Sequence, residues 1–391
     1  MITQPIADER LQALTEAAAN PEWVADDARL RALCEHWRTL SRVALDTEFQ
    51  RVDTFYPIPG LIQVAAEGRC YLIDPLAIND FAPFSDLLRD TSVLKLLHAC
   101  SEDLELFAHS YGATPTPLFD TQVACAFLDL GLSIGYQRLL DTLFSLPVDK
   151  QETRSDWLQR PLTEAQKHYA AVDVVYLEAI YQRLAPRLEE QGKWEWVMDE
   201  CAQMAQAQAD DRIDPDYYLK FKQAWKLRPE QLAVLKALCQ WREEQARERD
   251  MPRNFLIKNN TLWSLAVRMP QTMRELSQAE QIRGRTLSQD GKTLLGLICS
   301  ARDAAGDNAP EAPPRPLAAS SGRQLKVLKS AVQDVAAQRG LAPELLARRR
   351  DLEDLLRIGS DDARFELPRG LRGWRESLVK EPLLKVLAEN D

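Results

Sequence analysis

A proline-rich stretch at residues 303–322 places the strongest limit on how this 391-residue chain can fold. Its prolines stand among Ala, Gly and Ser without apolar periodicity, at Pro310, Pro313, Pro314 and Pro316. Such a stretch cannot pack a hydrophobic core and is typical of a linker. Together with a weaker polar seam at 205–214, it divides the chain into segments of roughly 205, 90 and 70 residues, each a plausible size for a domain.

The charge of the chain, formally −10 at pH 7, is distributed unevenly. Residues 1–200 hold 17 basic and 32 acidic side chains, whereas residues 201–391 hold 32 basic and 27 acidic ones. The basic excess is largest over 251–350, with 16 basic against 8 acidic side chains. A basic segment is either a solvated surface or the footprint of a polyanion site, and the charge alone does not choose between them.

The cysteines and the apolar runs exclude several classes of protein. No two of the seven cysteines are closer than 25 residues, so the chain has no Cys-x-x-Cys motif and no local zinc finger or ribbon. Scattered single cysteines indicate buried small hydrophobes in a reducing compartment. Because the sequence also lacks a secretion signal and a run of about 18 apolar residues, we expect a cytoplasmic protein without a membrane span.

The first segment combines short apolar runs with helical patterns. Apolar runs bounded by turn residues predict strands at 42–49, 61–65, 70–74 and 94–99, the first three as an antiparallel meander. Helices are predicted from Ser101 onward, over 121–130 with Asp120 as N-cap, and from the capping box at Thr163 to about Leu184. This order predicts an α/β layer fold with a mixed sheet flanked by helices. The other two segments show helical spacing alone and predict small all-α domains.

Two acidic residues interrupt the apolar strand at 42–49. Asp46 and Glu48 are two residues apart, so their side chains share one face of the strand. Burying two like charges side by side is costly unless a cation neutralises them, and carboxylate oxygens suit Mg²⁺ or Mn²⁺. Taken alone, the pair also fits an ordinary strand end with two exposed acids.

Three further residues extend this pattern along the chain. Asp103 lies at a strand-to-helix junction, where the helix dipole also favours an acid. Tyr169 and Asp173 are four residues apart and share one face of a predicted helix. Taken alone, they fit a helix with one exposed acid and a half-buried tyrosine.

In this order, the five residues resemble the DEDDy 3′–5′ exonucleases of the RNase H-like fold. The strings around them are similar to the bacterial ribonuclease D family, at 43–49, 60–63, 98–103, 150–157 and 160–162. Residues 225–262 resemble an HRDC domain, a helical module, and Gly370–Arg375 before Leu383 resembles a second HRDC-like domain. The resemblance predicts an N-terminal extension at 1–20, an exonuclease domain at 21–205, HRDC-like domains at 214–300 and 323–391, and the linker at 303–322.

The resemblance implies a chemistry for these residues. Two divalent cations, Mg²⁺ or Mn²⁺, would hold the attacking and leaving oxygens of a phosphodiester during in-line displacement. Asp46 would bridge both cations, Glu48 and Asp173 would complete the site that activates water, and Asp103 would support the second. Tyr169 would orient the attacking water, because its ordinary pKa near 10 makes it a poor free base at neutral pH.

The resemblance also implies a substrate, namely tRNA precursors and other small structured RNAs that are trimmed from their 3′ ends to nucleoside monophosphates. We expect Arg253, Lys258 and Arg268 to contact phosphates and Trp157 to stack on a base, and we expect a monomer that contacts no membrane. Arg348–Arg350 fits either a phosphate contact or a salt-bridged helix face.

Two alternatives remain at this point. A DNA 3′–5′ exonuclease of the same superfamily would share every catalytic residue. A non-catalytic nucleic-acid adaptor would keep the fold, but the intact set of five residues argues against it.

Overall fold

The structure, a computed structural model, describes residues 6–148, 155–210, 213–318, 321–358 and 367–390. Its contacts group into two units. Unit 1 comprises residues 1–50, 59–210 and 317–391, and unit 2 comprises residues 51–58 and 211–316. The grouping departs from three successive segments in two respects. The last segment shares a hydrophobic core with the first, and residues 51–58 of the first segment group with the second.

A six-stranded sheet organises unit 1. Its strands are β1 (Glu22–Val24), β2 (Arg42–Gln50), β3 (Ile58–Ala66), β4 (Arg69–Ile73), β5 (Leu94–Leu97) and β6 (Leu118–Asp120). They lie in the order β1-β4-β3-β2-β5-β6. The pairs β1–β4, β2–β5 and β5–β6 are parallel, and β3–β4 is antiparallel. The sheet is therefore mixed, as predicted from the sequence.

The end of β5 shows how local sequence sets a strand boundary. The predicted strand at 94–99 stops at Leu97, because Ala99 has a positive φ of 55°. The carboxylate of Asp120 accepts hydrogen bonds from the backbone N–H groups of Ala99 and Cys100, at 3.2 and 2.9 Å. The chain turns there into a helix whose first turn carries Asp103.

Helices cover the sheet of unit 1: α1 (Asp8–Ala19), α2 (Asp27–Trp37), α3 (Ala82–Arg89), α4 (Ser101–Tyr111), α5 (Thr121–Phe127), α6 (Tyr136–Phe144), α7 (Glu164–Val175), α8 (Leu177–Glu190) and α9 (Trp194–Ala209). Two predicted helices end early. The helix expected over 121–130 stops at Phe127, and the one expected to reach Leu184 is broken at Tyr176 into α7 and α8. The predicted polar seam at 205–214 begins inside α9, which runs to Ala209.

The C-terminal helices of unit 1 are α16 (Ser321–Arg339), α17 (Pro343–Leu346), α18 (Arg349–Ile358) and α19 (Glu376–Asn390), with short 3₁₀ turns at Arg369–Leu371 and Gly373–Arg375. Aromatic rings join this part to helices α5 and α9. Trp374 stacks on Trp196 with ring centroids 5.1 Å apart and lies 5.0 Å from Phe127. The buried ammonium of Lys193 donates to the carbonyls of Phe127 and Gly340, both at 2.8 Å. These contacts explain why the first and last segments form one unit.

Unit 2 is helical in its described part. It contains 3₁₀ turns at Tyr217–Lys220 and Ala224–Lys226, then α10 (Pro229–Glu248), α11 (Arg253–Leu256), α12 (Asn259–Arg268), α13 (Met273–Leu276), α14 (Gly284–Asp303) and α15 (Ala305–Asn308). Residues 51–58 join this unit through Asp250, whose carboxylate accepts from the N–H groups of Phe55 and Tyr56. The predicted linker at 303–322 is helical to Asn308 and irregular over 309–318; residues 319 and 320 lie outside the described residues.

Two expectations about the whole chain bear on these units. All seven cysteines are free thiols, and six of them are buried, which fits their use as small hydrophobes. In the part of the chain that the structure describes, no helix has the length and apolarity needed to span a bilayer.

We predict that Lys193→Met destabilises unit 1, because it keeps a flexible apolar side chain but leaves two carbonyls without their donor. The free energy of unfolding should fall by about 2 kcal/mol, measured by urea-induced unfolding with tryptophan fluorescence. Lys167→Met is the control, since it removes a pair with the exposed Glu164 and should change stability by less than about 0.5 kcal/mol. Equal losses in the two variants would contradict the assigned role of Lys193.

Candidate active site

Strand β2 supplies the first two acids of the candidate site. Asp46 and Glu48 are both partly exposed, while Thr47 between them is buried. One oxygen each of Asp46, Glu48 and Asp173 lie within 4.8 Å of one another. The structure therefore brings the predicted strand pair together with the predicted helix acid, although 125 residues of sequence separate Glu48 from Asp173.

Asp103 occupies a neighbouring position in the first turn of α4. Its side chain is 8 % exposed and accepts a hydrogen bond from the hydroxyl of Thr47. It lies outside the three-carboxylate group, but its hydrogen bond from Thr47 places it beside the strand that carries Asp46 and Glu48. Thr47 thus couples the middle of β2 to the start of α4.

Helix α7 supplies the tyrosine and the last acid. The helix begins with the predicted capping box, in which Thr163 accepts from the N–H of Gln166 and the Gln166 side chain accepts from the N–H of Thr163. Tyr169 and Asp173 follow one turn apart, and the tyrosine hydroxyl donates to the Asp173 carboxylate. A fixed helix start therefore sets which face of α7 meets β2.

Burial raises the pKa of all four acids, and repulsion from their neighbours in the site adds to this at Asp46 and Glu48. Burial, followed by repulsion from Asp103, Asp173 and Glu48, holds the pKa of Asp46 well above its usual range. Burial likewise raises the pKa of Glu48 to about 9 and those of Asp103 and Asp173 to about 6. A cluster that takes up protons so readily is one that a cation can neutralise instead.

Burial, together with the charge of Asp173 and the hydrogen bond donated to it, also raises the pKa of Tyr169. The phenol therefore stays protonated at neutral pH. It can donate or accept a hydrogen bond, but it does not act as a free base.

A cavity of about 570 Å³ opens over these residues. It is lined by Asp46, His98, Gly135, Tyr136, Gln137, Arg138, Tyr169, Asp173 and Leu177. His98 Nδ1 forms a 2.8 Å hydrogen bond with the hydroxyl of Thr121, and the Tyr136 hydroxyl donates to the carbonyl of Val172 at 2.9 Å. Sequence reasoning missed Arg138, because a lone arginine at a helix start has no signal that distinguishes it from a surface residue.

Trp157, predicted to stack on a base, is instead part of the core. It is 2 % exposed, and its ring centroid lies 6.2 Å from that of Tyr169. A Cβ on Gly60 would come within 2.7 Å of the Cβ and carbonyl oxygen of Trp157, so the two segments touch directly. The stacking prediction is wrong for this arrangement, because no face of the indole is open to a ligand. Residues 150–154 of the same sequence motif lie outside the described residues.

Arg160 fastens the segment around Trp157 to the sheet. Its guanidinium makes a two-pronged pair with Asp74, at 2.9 and 2.6 Å, and donates to the carbonyl of Gly60 at 2.7 Å. Fork-to-carboxylate pairs of this kind are geometrically specific. The string at 160–162 that resembles the family motif therefore includes a structural clamp behind Tyr169.

The predicted phosphate contacts of unit 2 have different surroundings. Arg253 pairs with Glu243 at 2.7 Å and lies over the ring of Phe55, so its charge is already matched. Lys258 is exposed at the start of α12, and the exposed Arg268 donates to the carbonyl of Gln278. The structure brings these three into no common cavity among the described residues.

The arginine run at the start of α18 follows the salt-bridged alternative. Arg349 pairs with Glu353 at 2.7 Å, and Arg350 lies 3.7 Å from Asp354. Both pairs are one helical turn apart, as expected for a charged helix face in water.

A depression of about 630 Å³ in unit 2 was not foreseen. It is lined by Arg249, Met251, Phe255, Leu256, Arg283, Arg285, Thr286, Gln289 and Asp290. The Phe255 ring is exposed for a large apolar residue, at 44 %, and the Arg283 guanidinium lies 5.5 Å from its centroid. Arginines beside an exposed aromatic ring are the groups that hold single-stranded nucleic acid. The pair of arginines at 283 and 285 was the available signal in the sequence.

The chain was compared with known families and structures. Family models match over 21–189 for a 3′–5′ exonuclease, over 231–298 for an HRDC domain, and over 322–383 for the C-terminal HRDC domain of ribonuclease D. Ribonuclease D of Pseudomonas paraeruginosa is 46% identical over 366 residues, covering 94% of this chain and 97% of the relative. Ribonuclease D of Escherichia coli K12 is 39% identical over 373 residues, covering 95% of this chain and 99% of the relative.

A solved structure matches over the same extent. The crystal structure of E. coli RNase D, described as an exoribonuclease involved in structured RNA processing, aligns with a TM-score of 0.85 and 38% identity. The alignment covers 95% of this chain and 99% of that chain.

The mixed sheet flanked by helices and the match to the exonuclease model define the class, a 3′–5′ exonuclease. The near full-length similarity is more specific: the chain belongs to the ribonuclease D family, and it is a hydrolytic 3′–5′ exoribonuclease with HRDC domains. The family, fold class and activity predicted from the sequence are confirmed.

An exonuclease of this family requires a divalent metal, and the residues present fit one. Three carboxylate oxygens from β2 and α7 converge within 4.8 Å, and hard oxygen ligands are those that Mg²⁺ and Mn²⁺ prefer.

We predict that Trp157→Ala acts on stability rather than on RNA affinity. Removing this buried indole should lower the free energy of unfolding by about 3–5 kcal/mol, measured by urea unfolding. RNA binding by the folded fraction should be unchanged, whereas a base-stacking tryptophan would lose about 1–3 kcal/mol of affinity without loss of stability. Trp157→Phe, which keeps most of the packing volume, is the milder companion variant.

Proposed function

We propose that Asp46, Glu48, Asp103 and Asp173 hold two divalent cations, Mg²⁺ or Mn²⁺, and that the chain uses this site to trim the 3′ ends of tRNA precursors and other small structured RNAs to nucleoside 5′-monophosphates. The observation that carries the proposal is the convergence of Asp46, Glu48 and Asp173 within 4.8 Å beside Tyr169.

The proposed cations would stabilise the charge that develops on the attacking and leaving oxygens of the phosphodiester. The chain's own residues have separate tasks. Asp46, Glu48 and Asp173 present oxygens from two elements of fixed geometry, and Asp103 is oriented by the Thr47 hydroxyl. The Tyr169 hydroxyl donates its one hydrogen to Asp173, so its oxygen would accept a hydrogen bond from the attacking water, and the packing of Trp157 helps to orient the ring.

Structured RNA as the substrate is supported by the E. coli relative, which is described as an exoribonuclease involved in structured RNA processing. Unit 2 offers the groups for holding such a substrate in its depression, where Arg283, Arg285 and Phe255 lie together. We propose this set in addition to Lys258 and Arg268, and in place of Arg253, which is paired with Glu243. Because one chain supplies both the cutting site and this surface, we propose that it acts as a monomer.

Activity should depend on the metal and on Asp46. Chelation with EDTA is expected to abolish release of nucleoside monophosphates, and added Mg²⁺ or Mn²⁺ should restore it. Asp46→Asn should lower kcat about a thousandfold, which corresponds to about 4 kcal/mol of transition-state stabilisation. RNA binding by Asp46→Asn, measured by fluorescence anisotropy, should persist.

The matched control for this test is Asp86→Asn, which changes an acid whose side chain is 61% exposed on α3. Its activity should equal that of the wild type. Full cleavage in EDTA, or full activity of Asp46→Asn, would refute the proposed metal site.

The substrate class should show in product length. With Mg²⁺, the enzyme should shorten a 3′-extended tRNA precursor and stop at or near the mature end, where the duplex begins. A single-stranded DNA of the same extension sequence should be degraded more slowly. Preference for the DNA, or degradation through the tRNA body, would contradict the proposed substrate.

A further inference from the structure

Arg138 is a positively charged side chain that lines the same cavity as two acids of the candidate site, Asp46 and Asp173. Among the described residues that line the 570 Å³ cavity, it is the one Lys or Arg, and it faces a space shared with Asp46 and Asp173. The side chain is exposed, and no ion pair to it occurs in the described part of the chain. An arginine that shares a cavity with these two acids and pairs with neither is available for an incoming anion.

The backbone around Arg138 favours the same charge. Gly135, Tyr136, Gln137 and Arg138 form the first turn of α6, and all four line the cavity. No side chain caps this turn at Gly135, so its first N–H groups have no partner within the helix. The N-terminal end of a helix carries partial positive charge that attracts anions.

The turn is both anchored and accessible. Leu139 and Leu140 are fully buried on the next turn, and the Tyr136 hydroxyl is bonded to the carbonyl of Val172 on α7. A Cβ placed on Gly135 would meet nothing within 4 Å, so open space lies over the turn. A strand could therefore approach the turn without a change in the fold.

The balance of charge in the cavity indicates which group of the substrate lies near Arg138. Under the proposed function, the metal ions balance the phosphate that is cut. The next phosphate on the 5′ side remains in the field of the same carboxylates and needs a positive partner of its own.

We propose that Arg138, together with the first turn of α6, binds the phosphate immediately 5′ of the scissile one and so positions the RNA strand. This inference rests on the proposed function. It makes Arg138 a positioning residue, which contributes to substrate binding and not to the chemical step.

The test compares two substrates that differ in this phosphate. One is the p-nitrophenyl ester of uridine 5′-monophosphate, which has a single phosphate, and the other is a five-nucleotide RNA. Full-length wild type, Arg138→Ala, Arg138→Lys and Arg187→Ala are assayed with Mn²⁺ on both. Arg187→Ala is the matched control, because it removes the same charge from a surface pair with Glu190 on α8.

For Arg138→Ala we expect KM for the RNA to rise about tenfold, with kcat within about threefold of wild type. KM for the ester should rise less than about twofold, because the ester lacks the phosphate concerned. The slope of log KM against log salt for the RNA should become shallower by about 0.7, the amount expected for one phosphate contact on a single strand. Arg138→Lys should recover part of the loss, and Arg187→Ala should behave as the wild type.

Two failures can be told apart. If the wild type cleaves neither substrate with Mn²⁺, the proposed function fails. If the wild type cleaves both, but Arg138→Ala changes them by the same factor or matches Arg187→Ala, the inference about Arg138 is overturned while the proposed function stands.

Discussion

Repulsion among the clustered carboxylates of β2 and α7 is the interaction on which the rest of unit 1 depends. Asp46, Glu48 and Asp173 have oxygens within 4.8 Å of one another, and burial together with the charges of Asp173 and Asp103 raises the pKa of Asp46 and Glu48. Left to themselves, such groups would separate or take up protons. They stay together because their backbones are fixed elsewhere: β2 is paired with β5 in the sheet, and the start of α7 is set by its capping box. The carboxylates of the site therefore repel one another while the backbone keeps them together. Such an arrangement suits a site that binds cations.

The proposed metal site also accounts for part of the uneven charge distribution along the chain. The first 200 residues are acidic, with 32 acidic against 17 basic side chains, although the substrate of the family is a polyanion. The acids belong partly to a site that cations neutralise, while Arg138 and the arginines of unit 2 offer positive charge to the rest of the strand. Net charge alone would have argued against a nucleic-acid substrate.

Much of the site could be predicted from sequence, because its signals are local. Alternation places Asp46 and Glu48 on one face of a strand, helical spacing places Tyr169 and Asp173 on one face of α7, and the capping box fixes where α7 begins. No local rule relates residues so far apart in sequence. Only the family resemblance therefore predicted that the two pairs meet.

The errors have a common origin in tertiary packing. Trp157 is a residue type that often stacks on bases, but its contacts with Gly60 and Tyr169 bury the side chain. Arg253 is a residue type that often contacts phosphate, but its guanidinium forms an ion pair with Glu243 and lies over the ring of Phe55. Three-residue strands such as β1 and β6 are too short to show a period. Gly60 and Phe55, which contact Trp157 and Arg253, lie far from them in the sequence, outside the window over which a pattern can be read.

The aromatic contact of Trp374 with Trp196 and Phe127 has a consequence for the order of assembly. Unit 1 is built from the first and last parts of the chain, with residues 211–316 synthesised in between. During synthesis from the N-terminus, Phe127 and Trp196 are made before Trp374, which follows Trp196 by about 180 residues. Until then, their rings lack this contact. A nascent chain that stops before residue 317 lacks Trp374. It presents an uncovered aromatic surface, the kind of feature that chaperones and proteases recognise.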